Sequence, residues 1–130
     1  LDLMLQLKED YHSAIMMITH DLGVIAEMAQ RVVVMYAGKV VEQAETLTLF
    51  DHPLHPYTQG LLQSIPKLGG RAGGGSRELL EIKGMVPGLL QLPKGCAFHP
   101  RCTRALERCR REVPQLREME KGHLVRCWLY

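Results

Sequence analysis

The almost wholly apolar run Ala14-Ile15-Met16-Met17-Ile18-Thr19 constrains this chain more than any other stretch. A short run of that kind predicts a strand buried on both faces, which is a parallel strand of an α/β sheet. His20 follows at once. Asp21 then reads as an N-cap, with Ile25, Met28 and Ala29 recurring at helical spacing behind it. His20 is therefore expected just past the carboxyl end of a buried strand, where open α/β sheets place ligand-contacting groups. A loop histidine capping a helix would occupy the same position, and placement alone does not separate the two readings.

Charge divides the chain. Residues 1–65 carry three basic and eight acidic side chains, a formal −5, and residues 66–130 carry 13 basic and six acidic ones, a formal +7. The seam at Ile65-Pro66 precedes Gly69-Gly70-Arg71-Ala72-Gly73-Gly74-Gly75-Ser76. That segment lacks the Lys-Ser/Thr pair of a phosphate loop, so 66–77 reads as a flexible linker. Before the seam, periodicity predicts helices at about 1–11 and 21–30 and a strand at 31–36. A turn at Ala37-Gly38, a returning strand at 39–43 and a short helix at 45–50 complete the pattern. No apolar run approaches the roughly 20 residues needed to cross a bilayer.

The 26 residues from Ile18 to Gln43 resemble the segment around the switch histidine of ABC-transporter ATPases. Thr19-His20-Asp21 stands at the end of a core strand there, and Arg31-Val32 through Val41-Glu42 matches R-V-x-V-M-x-x-G-K/R-V-V-E. Where the family usually has glycine, this chain has Ala44. The resemblance implies a P-loop NTPase core, with His20 as the catalytic and cofactor-contacting residue that touches the γ-phosphate of ATP bound with Mg²⁺ against a partner subunit. A polarised imidazole N–H suits that task, because it can stabilise charge on a transferring phosphoryl group. The phosphate loop, the LSGGQ-like signature and the Walker B strand are absent from these 130 residues. The chain is thus expected to be the C-terminal portion of something longer, and inactive by itself.

His52-Pro53-Leu54-His55-Pro56-Tyr57-Thr58 contains two His-Pro pairs. They could mark a metal site, but Pro56 more simply starts a helix with Leu61, Leu62 and Ile65 as its buried stripe. The stretch looks like the H-P-x-H-P-Y-T element of the oligopeptide/dipeptide branch of ABC importers.

All four cysteines lie beyond the linker, as Cys96-x5-Cys102-x6-Cys109-x17-Cys127. Disulfides would need an oxidising compartment, structural zinc prefers closer pairs, and an iron–sulfur cluster tolerates long loops. Four unconnected buried thiols remain equally compatible with the spacing. Arg101, Arg104, Arg108, Arg110 and Arg111 crowd the same segment and would offset the negative charge of a four-thiolate cluster. They lack interleaved aromatics beyond Phe98, which argues against nucleic acid. The segment resembles the cysteine-bearing extension of dipeptide/oligopeptide ABC ATPases, where G-C-x-F-x-x-R-C opens a motif for a [4Fe–4S] cluster. The resemblance makes Cys96, Cys102, Cys109 and Cys127 the metal ligands. His99 is a possible substitute ligand but reads as a turn residue before Pro100.

The expected fold class is α/β: residues 1–51 as the C-terminal part of an ABC-ATPase core, and 52–130 as a small, loop-rich extension with its cysteine cluster at 94–130. The family implies a peripheral protein on the cytoplasmic face of the membrane. Its partners would be a homologous ATPase subunit and transmembrane permease subunits, and it would meet the membrane only through the permease. The rival reading is a free-standing iron–sulfur or zinc module with no nucleotide role.

Overall fold

The computed structural model describes residues 1–65 and 82–130, so the linker expected at 66–77 lies outside the described residues. Helices α1 (Asp2–Asp10) and α2 (Leu22–Met28) precede strands β1 (Arg31–Tyr36) and β2 (Lys39–Glu45). Helices α3 (Thr46–Asp51) and α4 (Pro56–Gln63) follow. Two 3₁₀ turns, His99–Arg101 and Glu107–Arg110, then lead to β3 (Arg117–Glu120) and β4 (His123–Val125). The strands form one sheet in the order β1-β2-β4-β3, antiparallel at every pairing. One sheet therefore takes strands from both sides of residue 52. No helix among the described residues is long and apolar enough to cross a membrane.

Local chemistry explains the hairpin. Val32, Val34 and Tyr36 alternate inward while Arg31, Val33 and Met35 face out, which is the two-residue period of a half-covered strand. Ala37 and Gly38 turn the chain with φ of 48° and 77°. Two successive positive φ values match the twist of the flanking strands, and glycine takes the second without steric cost. Val32, Ala44 and Leu49 make one apolar cluster, against which Ile25 and Ala29 of the α2 region pack. Tyr36, Val41 and Phe98 make the second, joined by Tyr57, Ile82, Cys96 and Cys102. Burying side chains of this size stabilises by roughly 1.5–3 kcal/mol each.

Two expectations need correction. Residues 14–19 form no strand, and Met16 and Ile18 are 91% and 95% exposed. A parallel strand needs neighbouring strands to pair with and helices on both faces to cover it, and the described residues supply neither. The sheet that does form is antiparallel. The stripe expected on α4 is also shallower: Leu61, Leu62 and Ile65 are half-buried, and the fully covered residue of that helix is Thr58. The helix start was read correctly, for Pro56 occupies its first turn behind His55 as N-cap.

Candidate metal centre

Cys96, Cys102, Cys109 and Cys127 line a single small cavity, together with Phe98, Arg104 and Trp128. Each reaches it for a local reason. Gly95 has φ of 74°, and a Cβ there would stand 2.2 Å from the Cys109 carbonyl oxygen. Only glycine lets the two segments approach so closely, and the Cys96 N–H then donates to that oxygen at 2.8 Å. The first 3₁₀ turn places Cys102, whose N–H donates to the His99 carbonyl at 3.2 Å. The second carries Cys109, which is 6% exposed. Cys127 arrives from the far end of the chain. There β4 pairs with β2, and Arg126 donates from its backbone N–H to Val41 O at 2.8 Å and from Nε to Val40 O at 2.7 Å.

Burial disfavours ionisation of three of the thiols. Burial pushes Cys96, Cys102 and Cys127 above the ordinary thiol range, Cys127 to about 11, and charge on neighbouring sulfurs adds to the rise. Cys127 is influenced by all three of the others. A metal entering here would bind thiolates and so displace protons from thiols that burial keeps neutral. The enclosed volume is about 10 Å³, close to that of one water molecule. Among the described residues no group of three or more His, Cys, Asp or Glu side chains is arranged to hold a metal ion. Four cysteine side chains on one cavity are the donor type that soft metals and iron–sulfur groups take. His99 also lines the cavity, and its Nδ1 donates to the Cys96 carbonyl at 2.9 Å, since a carbonyl can only accept.

The arginines are not a common counter-charge. Arg101 donates to the carbonyls of Ile82 and Lys83, Arg108 pairs with Glu112, and Arg110 and Arg111 pair with Glu107. Of the five, Arg104 alone lines the cavity, and its charge favours the Cys102 thiolate.

A buried carboxylate beside the site was not foreseen. Glu42 is 0% exposed and accepts from Leu54 N–H at 2.7 Å, His55 N–H at 2.9 Å and His123 Nε2 at 2.8 Å. It joins β2, the His-Pro loop and β4. Its sequence signal was phase: Glu42 shares a strand face with Ala44, which is wholly buried. His55 Nδ1 accepts the Tyr57 N–H at 3.0 Å, which caps α4 and shows a structural rather than a ligating use of that nitrogen.

Burial holds the His55 imidazole down at a pKa of about 4, with Glu42 partly opposing the shift. The unfolded chain takes up this proton below the ordinary imidazole value of 6.5, whereas the fold resists until about 4. The His55 contribution is therefore complete above pH 6.5 and drains away as pH falls towards 4. Urea titrations should show the wild type losing about 2 kcal/mol more than His55→Asn between pH 7 and pH 5. Asparagine keeps a capping oxygen without titrating. Parallel stability profiles for the two proteins would sink the assignment.

His20 is exposed and does not join the cavity lining. It immediately precedes the cap of α2, where Asp21 Oδ1 accepts Gly23 N–H at 2.8 Å and Val24 N–H at 3.2 Å, and Thr19 Oγ1 accepts Asp21 N–H at 3.0 Å. The backbone around His20 is thus held by three hydrogen bonds to the Thr19 and Asp21 side chains.

Residues 41–109 match a family described as the oligopeptide/dipeptide transporter C-terminal region. The oligopeptide transport ATP-binding protein AppD of Bacillus subtilis is 48% identical over 130 residues, covering 100% of this chain and 38% of its own length. A Brucella melitensis protein named as a peptide import ATP-binding protein is 50% identical over 98% of this chain and 38% of its own. The oligopeptide transport ATP-binding protein OppD of Salmonella typhimurium is 44% identical over 95% of this chain and 35% of its own. The chain spans less than two fifths of the length of these relatives.

Proposed function

This chain belongs to the oligopeptide/dipeptide transporter C-terminal family, and from that premise we propose that it is the C-terminal part of an ATP-hydrolysing subunit that energises peptide import. The observation carrying this is the similarity to peptide-transport ATP-binding proteins along 95–100% of the chain, across both the His20 segment and the cysteines. In the complete subunit, residues 1–51 end the ATPase core and 52–130 form the extension. His20, exposed beside the fixed turn at Asp21, is free to meet the γ-phosphate of MgATP held against a homologous subunit. Its imidazole N–H stabilises charge there. Permease subunits then bring the assembly to the cytoplasmic face of the membrane.

Cys96, Cys102, Cys109 and Cys127 are the residues that would hold a [4Fe–4S] cluster. Such a group supplies four iron–thiolate bonds that tie the ends of the 94–130 segment together. The convergence of all four on one cavity supports this assignment.

The nucleotide reading is tested by calorimetry. The 130 residues alone should hydrolyse no ATP and bind it no tighter than millimolar, because no phosphate-cradling loop is present. Micromolar affinity in this chain by itself would mean that its nucleotide site is built from other residues, and the role given to His20 would fall.

A further inference from the structure

The x17 interval between Cys109 and Cys127 poses a mechanical problem. Strand β4 ends at Val125, so sheet pairing stops short of the fourth thiol. The residues adjoining two of the cysteines bridge the gap. Arg108 precedes Cys109, Trp128 follows Cys127, and the Arg108 guanidinium carbon lies 3.5 Å from the centroid of the Trp128 ring. Trp128 Nε1–H donates to the Glu112 carbonyl at 3.0 Å, while Arg108 Nε donates to the Glu112 carboxylate at 2.8 Å. Arg117 stands over the same ring at 5.5 Å. Trp128 also forms part of the cavity wall.

The relative strengths can be ordered. The Arg108–Glu112 pair is more than half exposed, and exposed ion pairs of this kind contribute little. A planar guanidinium stacked on indole contributes more, and an ammonium group cannot reproduce the stacking. The indole hydrogen bond fixes the ring's orientation.

We infer that Arg108 and Trp128 are positioning residues, forming a clasp that holds Cys127 against Cys96, Cys102 and Cys109. The inference rests on the reading of these four as ligands of one cluster. It assigns a purpose to one arginine that composition alone would count as surface charge.

The test uses the whole chain, reconstituted anaerobically with ferric iron, a thiol reductant and sulfide, and times the release of iron to a chelator. In parallel, the metal-free protein is treated with iodoacetamide and the labelling rate of each cysteine is read by mass spectrometry. R108Q and W128L should release iron about tenfold faster and label Cys127 about tenfold faster, with smaller changes at Cys96. R108K should resemble R108Q, and W128F should recover part of the loss. R111Q, which removes an exposed pair with Glu107, should match the wild type.

Wild-type behaviour in both R108Q and W128L would overturn the clasp. Full rescue by R108K would do so as well, since charge rather than stacking would then suffice. Equal acceleration at all four cysteines would also overturn it, because that marks general loosening. If the wild type takes up no iron, the cluster reading fails, and selective labelling of Cys127 still decides the clasp on its own.

Discussion

Serine in place of any one of Cys96, Cys102, Cys109 or Cys127 should turn an anaerobically prepared brown protein almost colourless. The unsubstituted chain should carry roughly four irons, with one thiolate to each. A serine hydroxyl stays protonated at neutral pH and replaces that bond poorly. The effect should extend beyond colour. Strands β3 and β4 are short, β3 is exposed along its length, and the intervening backbone is 3₁₀ turn and loop. A segment with so little regular structure would lean on a bound cluster, so hydrogen exchange over 94–130 should accelerate in every serine variant. Iron content and exchange are measured on the same samples. A colourless wild type with one firmly held zinc would show that the metal is wrong. Serine variants that keep full iron would show that these sulfurs are not the ligands.

In the complete subunit, His20→Ala should leave ATP binding close to normal and lower turnover about tenfold to a hundredfold. That is the range expected when one preorganised donor to a developing phosphoryl charge is removed. Binding by calorimetry and steady-state hydrolysis separate the two quantities. The cap at Asp21 draws on Thr19 and Asp21 side chains and on no atom of the His20 ring, so the substitution should leave α2 in place. Near-normal hydrolysis in this variant would remove His20 from the active site.

Features governed by neighbouring residues were legible in the sequence. Asp21 as a cap, the turn at Ala37-Gly38 and the start of α4 at Pro56 each follow from one residue's own chemistry. The run at 14–19 was not legible as it stands, because a two-sided burial is a property of its neighbours. Five clustered arginines looked alike as charge, yet four are engaged elsewhere and Arg104 alone meets the cavity. The cysteine spacing left several chemistries open. What gathers these thiols is the bare backbone of Gly95 and the return of β4, and neither is encoded in the spacing.

The position of Glu42 has a consequence for the order in which the chain assembles. A hairpin such as β1–β2 can close within microseconds, since its contacts are local. The imidazole that completes the Glu42 shell lies 81 residues further along. Until that distant strand docks, the carboxylate has only the Leu54 and His55 N–H groups of the nearby His-Pro loop, and the side that His123 will cover stays open to water. Early closure is therefore reversible, and the rate-limiting event is the long-range one, where the loop-closure entropy falls. A ribosome that has released only the first half of this sequence holds a hairpin waiting for its last strand.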